Sequence, residues 1–309
     1  MQIEALRDAE DRLFSLDDDI VKRVATMYDA ARREILAELT NWYEKMGSPK
    51  TPEELRIVAN RVERIKAIDD AIKALSSDVA DYLNNFIPRS VEQGFENAQR
   101  DVEIISKMLG VRVDEVRFAG IDKQLAIMVE AVVKKIPSMV DPLSGQITYE
   151  LQYGLTQGDS FDQIIQRLLG KDLGPQGASF FRNGINSMEL FTRRAVIDSN
   201  NASRQLVYEK AQETIGKLQK QAIAAIDNRT TDCCLRVHGQ ITDLDQPYKL
   251  TGQPRFASEM MFPSFHWRCR TSSAAYHPAF EENSRLTTAG MRDDARAQLS
   301  ANKADAKGN

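Results

Sequence analysis

Cysteine and histidine are scarce in this sequence, with three of each among 309 residues. Three cysteines, two of them adjacent, cannot build the set of paired disulfides on which small secreted domains depend. A long apolar run is also missing, because Glu130, Lys134 and Lys135 interrupt the most apolar stretch, LAIMVEAVVKKIPSMV. The sequence therefore indicates neither secretion nor a membrane span, and we expect the chain to stay in the cytosol where it is made.

The signatures of common enzymes are missing as well. The chain has no G-x-x-x-x-G-K-[ST] phosphate loop, no G-x-S-x-G nucleophile motif and no G-x-G-x-x-G after a strand. Acidic residues are frequent, but the solvated faces of helices explain them. The sequence gives no reason to expect an enzyme.

Charge is unevenly distributed along a chain whose formal net charge is -4. Residues 1 to 150 hold 21 Lys and Arg against 28 Asp and Glu, whereas residues 151 to 309 hold 20 against 17. A protein that coats DNA needs several cations clustered on one face, and an excess of this size is better explained as solvated surface. Contact with nucleic acid is not indicated by charge alone.

Two long apolar stripes with helical spacing lie in the first ninety residues. Steps of three and four predict a first long helix and, after the capping sequence TPEEL at 51 to 55, a second one. A continuous two-stranded coiled coil is disfavoured because the heptad phase slips between Ile65 and Ile68. A helical hairpin and a plain helical bundle both fit the stripes, which consist of Ile20, Val24, Met27, Ala31, Ile35, Leu39 and Trp42, then Leu55, Val58, Val62, Ile65, Ile68, Ile72, Leu75, Val79, Tyr82 and Phe86.

Later segments predict shorter elements. Alternating apolar residues at 111 to 118 fit one short strand, and Ser160 with Gln163 forms a capping box that starts a helix. Residues 170 to 184 are rich in glycine and read as a loop. A further helix is predicted from about Ser187 to Leu218. Its centre, DSNNAS, is polar for a helix interior, and a solvated face is favoured over contact with a partner or with the next subdomain.

All three cysteines and two of the three histidines lie in two stretches, DNRTTDCCLRVHG at 227 to 239 and PSFHWRCRTS at 263 to 272. Tetrahedral Zn²⁺ is held by pairs of donors at short spacing, brought together by a longer loop. The spacings C-x3-H and H-x2-C supply two such pairs. Adjacent cysteines point in different directions along an extended chain, so only one of them reaches the ion. The candidate ligands are Cys234, His238, His266 and Cys269, with Cys233 as the spare.

Two interpretations of this cluster stay open. One is a structural Zn²⁺ that staples a small module, since four protein ligands leave no open position for catalysis. The other is a set of free buried thiols with hydrogen-bonded histidines. A nuclease-like site of His266 with His277 is a further alternative, although no acidic residue stands beside either of them.

A family resemblance rests on four segments of the chain. D-N-R-T at 227 to 230, Cys234, H-G-Q at 238 to 240 and P-S-F-H-W-R-C-R-T at 263 to 271 resemble the signature of the phage Mu F-like minor head proteins, also called the phage head morphogenesis family. In that family D-x-R-T opens the segment, and a proline-led H-x-x-C-R closes it. The resemblance covers about residues 150 to 277. Its motif residues here are Asp227, Arg229, Thr230, Gly239 and Arg270.

The sequence departs from this pattern in two places. Family members commonly carry C-x-x-C after D-x-R-T, and the first of those positions is Thr231 here, while Cys234 matches the second. Asp198-Ser199-Asn200 stands where members often show R-T-E. A metal site would have to recruit His238 or Cys233. Without metal, the knuckle would be tied by a turn capped by Asp227 and by Arg229 paired with a carboxylate or with backbone carbonyls.

The resemblance implies a minor structural protein of a tailed double-stranded DNA phage. Such a protein is incorporated near the portal vertex and affects procapsid assembly, DNA packaging or ejection. The implied partners are the portal protein and the major capsid or scaffolding protein, with non-specific contact to packaged DNA and none to a membrane. The expected location is the virion head, after assembly in the host cytoplasm. A metal-dependent treble-clef nuclease and a DNA-binding ejection protein are the alternatives.

The predicted fold is mainly α-helical. Residues 1–140 are expected to form an N-terminal arm, either a long helical hairpin or a bundle. Residues 141–280 are expected to form a small α+β module of the Mu F-like kind, with the Cys and His knuckle inside it. Residues 281–309 are expected to be a polar, flexible tail.

Overall fold

A computed structural model of the chain describes residues 2–46, 66–111, 121–157, 159–169, 180–227, 230–252, 254, 256–282 and 287–308. The protein is mainly helical, with long N-terminal helices and a small C-terminal α+β region that holds a Cys and His cluster, as the sequence predicts. Among the described helices, none is long and apolar enough to cross a membrane. They are α1 (Gln2–Met46), α2 (Lys66–Leu109), α3 (Ile121–Val133), α4 (Ile136–Val140), α5 (Pro142–Gln157), α6 (Phe161–Leu169), α7 (Phe180–Ile215), α8 (Asp232–Val237) and α9 (Thr288–Gly308).

The chain folds into two compact units, each built from separated stretches of sequence. The unit that we call the sheet unit comprises Met1–Asp18, Phe86–Val129 and Arg193–Asn309, and the helical unit comprises Asp19–Asn85 and Glu130–Thr192. These boundaries differ from those that the sequence suggested at residues 140 and 280. Composition and motif position gave no sign that stretches far apart in sequence share one unit.

The core of the helical unit consists of the apolar stripes that the sequence predicts. In α1 the residues Ile20, Val24, Ala31, Ile35 and Leu39 are buried, and so is Tyr28 where the pattern suggested Met27. In α2 the buried members of the stripe include Ile68, Ile72, Leu75 and Val79. Both stripes repeat every three or four residues, which keeps their side chains on one helix face. The TPEEL start and residues 55 to 65 of the second stripe lie outside the described residues.

Helix α6 begins with the predicted capping box. The Ser160 amide donates to Gln163 Oε1 at 2.7 Å, and the Gln163 amide donates to Ser160 Oγ at 3.3 Å. These bonds satisfy two of the amides that a helix start leaves without a partner. The side chain of Phe161 then stacks on Tyr43 with ring centroids 4.3 Å apart.

The loop prediction for residues 170 to 184 is wrong at its C-terminal end, because α7 already begins at Phe180. Gly184, which suggested a loop, lies inside this helix. A Cβ atom at this position would meet Leu143 and Tyr28 side-chain atoms at 3.2 to 3.3 Å. The glycine therefore allows close packing in the helical unit. Residues 170 to 179 of the predicted loop lie outside the described residues.

The sheet unit contains a three-stranded antiparallel sheet in the order β2-β1-β5. Its strands are β1 (Gln219–Ala224), β2 (Ile241–Asp243) and β5 (Thr271–Tyr276), and a separate pair is formed by β3 (Tyr248–Lys249) and β4 (Glu259–Met260). Strand β1 pairs with β5 from Gln219 opposite Tyr276 to Ala224 opposite Thr271. All six residues of β5 are buried, and five of them are small, which suits a strand covered on both faces.

Different helices pack against this sheet in two buried clusters. In one cluster Ala275 and Tyr276 lie with Val102 of α2 and Val207 of α7. In the other, Ile223 and Ala274 lie with Met291 of α9. The tail that the sequence suggested to be flexible thus includes a helix whose first turns contribute to the core. The short strand predicted at 111 to 118 lies outside the described residues from 112 onward.

The polar centre of α7 is buried, so its prediction as a solvated face is wrong. Ser199, Asn200 and Asn201 are at most 1% exposed, and Asn201 Oδ1 accepts a hydrogen bond from the Ser273 amide at 2.8 Å. Arg204 Nη1 donates to the Ser273 carbonyl, also at 2.8 Å. Since β5 is an edge of its sheet, these side chains take the place of a neighbouring strand.

Candidate metal centre

Strand pairing brings the two cysteine-containing stretches together. The last residue of β1, Ala224, lies opposite the first residue of β5, Thr271. The chain that leaves β1 and the chain that enters β5 therefore run side by side, and the Ala225 amide donates to the Arg270 carbonyl at 2.8 Å. Helix α8 follows directly after β1, and the segment 263 to 270 directly precedes β5. The fold thus places Cys234 next to His266 and Cys269.

Three buried donors form what we call the donor group: Cys234 Sγ, a ring nitrogen of His266 and Cys269 Sγ. All of them lie within 4.8 Å of one another. The two sulfur atoms are 3.9 Å apart, and Cys234 Sγ lies 2.8 Å from His266 Nε2. Two thiolates on one tetrahedral Zn²⁺ are about 3.8 Å apart, given a Zn–S bond of roughly 2.3 Å. The group can hold a metal ion, and two sulfurs with one imidazole are donors that suit Zn²⁺.

The backbone orients the imidazole of His266 toward the sulfurs. Its Nδ1 lies 2.7 Å from the Trp267 carbonyl oxygen. A carbonyl only accepts, so Nδ1 carries a proton, and Nε2 is the ring nitrogen that faces Cys234. This arrangement, in which the remote ring nitrogen donates to a carbonyl, is the one found around histidine metal ligands.

The pKa values of the two sulfurs in the donor group are shifted in opposite directions. Hydrogen bonding from Cys269, and then from His266, lowers the pKa of Cys234 to about 4 against the opposing effect of burial. Burial raises the pKa of Cys269 well above its ordinary value, with a further contribution from Cys234. The opposed shifts favour the thiolate at Cys234, and the two sulfurs are close enough to share a proton. Because metals bind thiolates, ion binding releases this proton, and the affinity rises with pH.

His238, the predicted partner of Cys234, is not a member of the donor group. It follows α8 as its C-cap residue, and its Nδ1 accepts a hydrogen bond from the Ala224 amide at 3.0 Å. The imidazole thereby satisfies a backbone amide at the end of β1. The prediction relied on the short spacing between Cys234 and His238. Spacing does not show that a backbone amide, here that of Ala224 in β1, hydrogen-bonds to the imidazole instead.

Two further residues that the sequence singled out lie outside the donor group. Cys233 is buried in an apolar cluster with Val237 and Leu250, and burial raises its pKa. Cys233 is thus not one of the three donors that lie within 4.8 Å of one another. His277, considered for a nuclease-like site with His266, follows β5, and its Nδ1 accepts from the Ala279 amide at 3.1 Å.

The D-x-R-T element is tied to the second stretch by a charge pair. Arg270 Nη1 donates to Asp227 Oδ2. The Asp227 amide donates to Thr230 Oγ1 at 2.8 Å, and Thr230 Oγ1 donates to the Ala225 carbonyl at 2.7 Å. Asp227 and Thr230 thus close the predicted turn. Arg270 supplies the cation that the sequence assigned to Arg229, and Arg229 lies outside the described residues.

Gly239 allows helix α9 to approach the end of α8. Its φ angle is +76°, a conformation that favours glycine, and a Cβ atom there would meet Met291 Cβ at 3.0 Å and Thr288 Cα at 3.1 Å. Thr288 Oγ1 donates to the Gly239 carbonyl at 2.6 Å, and Arg292 Nε donates to the His238 carbonyl at 3.2 Å. The C-terminal helix thus satisfies carbonyls beside the site.

Sequence reasoning missed the contacts that three side chains make around the site. Thr231 is the N-cap of α8, and its Oγ1 lies 2.9 Å from His266 Nε2. Thr271 Oγ1 donates to Cys234 Sγ at 3.3 Å. Asp198 of α7 accepts from both the amide and the hydroxyl of Ser264 at 2.9 Å, which anchors the second stretch. The capping role of Thr231 could be predicted from its position before D-C-C-L. The contacts of Thr271 and Asp198 join remote segments, so no local pattern in the sequence predicts them.

The centre therefore combines two cysteines and one histidine, all buried, from two stretches that the sheet aligns. Comparison of the chain with family models, with curated proteins and with solved structures gave no match.

Proposed function

We propose that this chain is a minor head protein of a tailed double-stranded DNA phage, similar to the Mu F-like proteins, that acts near the portal during procapsid assembly, DNA packaging or ejection. One observation carries the proposal: residues that make up the resemblance meet at one place. Asp227 pairs with Arg270, and Cys234 lies beside His266 and Cys269. A chance match between two short motifs would not require them to be in contact.

The proposal includes a structural Zn²⁺ held by Cys234, His266 and Cys269. A bound zinc ion supplies folding free energy by fixing two segments that are remote in sequence. Here it would link α8 to the segment 263 to 270, which Asp198 also anchors through Ser264. Rigid attachment of this segment gives the sheet unit a defined surface for assembly.

Exposed apolar side chains on the helices support a role in protein contacts. Tyr149 and Tyr153 of α5 are 61% and 44% exposed, and their rings stack with centroids 6.2 Å apart. Ile127 of α3 is 64% exposed. Aromatic residues are enriched at the centres of protein interfaces. The proposed partners are the portal protein and the major capsid or scaffolding protein, with the packaged DNA as a non-specific neighbour.

A reconstitution experiment tests the assembly role. The chain, carrying an affinity tag, is expressed together with the portal, scaffolding and major capsid proteins of the same genome, and particles are separated by sedimentation. We expect the chain to sediment with particles that contain portal and to be lost from particles assembled without it. Sedimentation apart from every particle, while portal is incorporated normally, would refute the proposal.

Matched variants locate the contact. The pair Tyr149→Ser and Tyr153→Ser is expected to reduce the particle-bound fraction, because it removes exposed aromatic surface without opening the core. Gln157→Ser changes another exposed position of α5 and serves as the control. Equal particle-bound fractions for the two variants would place the contact elsewhere on the chain.

The metal is tested separately, on purified protein. Cys269→Ala removes a donor, so we expect a lower melting temperature and no further loss when a chelator is added. Cys233→Ala removes a buried sulfur outside the donor group, so it should keep the response to chelator. Metal content measured by mass spectrometry checks both. A chelator response in Cys269→Ala that equals the wild-type response would remove Cys269 from the site.

A further inference from the structure

The donor group has three members among the described residues, whereas a structural zinc ion takes four ligands. We propose that the hydroxyl of Thr231 is the fourth ligand, so that the centre binds its metal through two sulfurs, one nitrogen and one oxygen. This inference rests on the metal site of the proposed function and names the residue that completes it.

Geometry points to Thr231. Its Oγ1 lies 2.9 Å from His266 Nε2, which in turn lies 2.8 Å from Cys234 Sγ. The same oxygen accepts a hydrogen bond from the Cys234 amide at 3.3 Å, as the N-cap of α8. The cap fixes the hydroxyl at one side of the donor group, three residues before one of the sulfurs. The C-x-x-C spacing of zinc knuckles separates two ligands by the same distance in sequence.

Other nearby side chains are already engaged in different ways. Thr271 Oγ1 donates to Cys234 Sγ at 3.3 Å from a fully buried position at the start of β5. The Nδ1 atom of His238 accepts from the Ala224 amide. Cys233 is not among the donor atoms that lie within 4.8 Å of one another. Among the described residues around the donor group, Thr231 is the one whose oxygen faces it from an exposed position.

An oxygen ligand from Thr231 changes the affinity and the exchange of the metal. A neutral hydroxyl is a harder and weaker donor to Zn²⁺ than a thiolate, so the metal is bound less tightly than in a site with three sulfurs. Thr231 is exposed, whereas the three other donors are buried. Chelators and competing ions therefore reach the centre from the Thr231 side, and the metal is exchangeable.

The test uses Co²⁺ as the probe, because the absorbance of its charge-transfer band counts bound sulfurs. Thr231→Cys is expected to raise this absorbance about 1.5-fold, from two sulfurs to three, and to raise metal affinity at least about tenfold. Thr231→Val keeps a similar shape without the hydroxyl and should lower affinity about tenfold. Thr231→Ser keeps both the cap and the oxygen and should bind like wild type. Thr242→Cys in β2 is the control for an added thiol.

The outcomes separate this inference from the proposal on which it rests. Unchanged absorbance in Thr231→Cys, or unchanged affinity in Thr231→Val, overturns the assignment of Thr231 while the three-donor site stands. Absence of Co²⁺ binding by the wild-type protein overturns both this inference and the proposed structural metal. In either case the sedimentation experiment tests the assembly role independently.

Discussion

The two units of this protein are built on different kinds of core. In the helical unit the described buried residues are almost all apolar and repeat with the period of a helix. Twenty buried polar or charged residues are described in the chain, and two of them, Ser76 and Thr192, belong to the helical unit. The other eighteen lie in the sheet unit. They include two full charges, Arg204 and Lys220, which are 1% and 0% exposed.

The apolar core of the helical unit mainly stabilises the fold, whereas the polar core of the sheet unit also fixes where its elements lie. An apolar stripe stabilises any partner surface of suitable shape, and conservative changes within it cost little. A buried polar group requires one particular partner, because it costs free energy when that partner is missing. The polar core of the sheet unit therefore fixes β5, and with it the donor group, in one position. Substitutions in the two units test this difference between the cores.

The largest effect is expected for Arg204→Ala. The variant loses the hydrogen bond to the Ser273 carbonyl and leaves Asp101 without the buried cation whose charge lowers its pKa. Losing a buried hydrogen bond to a charged group costs about 1.5 to 3 kcal/mol, and the cavity left by so large a buried side chain adds to this loss. Chemical denaturation should show this loss, whereas Arg23→Ala, at an exposed position of α1, should stay within about 0.5 kcal/mol of wild type. Similar losses for the two would remove the contrast between the units.

The next effect is expected where α2 and α7 approach each other within the sheet unit. A Cβ atom at Gly94 would overlap Ser203 Oγ and the Asn200 carbonyl. Gly94→Ala should therefore destabilise the protein by about 1 to 3 kcal/mol. Gly145 in α5 has open space around it, so Gly145→Ala should stabilise by about 0.5 to 1 kcal/mol. Thermal unfolding of both variants checks this, and a stabilising Gly94→Ala would contradict the close approach of the helices.

A smaller effect is expected in the pH dependence of stability. Burial raises the pKa of Asp101 above its ordinary value of 3.8. As pH rises from 3.8, the unfolded chain releases this proton first, so the contribution of Asp101 to the free energy of unfolding falls until its folded pKa is passed. Asp101→Asn keeps an acceptor for Tyr208 and for the Ala275 amide. The stability difference, wild type minus variant, should decrease from pH 4 toward neutrality, and an increase would reverse the assigned direction.

The smallest effect is expected for an exposed ion pair close to the donor group. Arg236 Nε lies 2.7 Å from Asp232 Oδ2 in α8, and both side chains are more than half exposed. Arg236→Gln should change the free energy of unfolding by less than about 0.5 kcal/mol, and less again at high salt. Denaturation at two ionic strengths measures this. A loss above 1 kcal/mol would show that the pair does more than hold one helical turn together.

The sequence predicted the helical unit well because apolar periodicity records burial directly. The stripe in α1 and the capping box of Ser160 and Gln163 needed only local spacing. The donor group was predicted in part by the same route, since Cys234, His266 and Cys269 stand in two short motifs. These features share a local origin: each depends on residues a few positions apart.

The rest depended on contacts between remote segments, which spacing does not record. His238 had the right distance from Cys234, but the Ala224 amide at the end of β1 engages its Nδ1. The polar centre of α7 was predicted to be solvated. It is buried because its side chains hydrogen-bond to the backbone of the edge strand β5. The assignment to a phage head protein is tested by none of these contacts and stays a prediction.

The bonds from α9 to the end of α8 bear on the order in which the site is completed in the cell. Thr288 and Arg292 donate to carbonyls of Gly239 and His238, and both are synthesised after every cysteine and histidine of the donor group. A chain still attached to the ribosome before residue 288 has emerged therefore presents its thiols in an unfinished pocket.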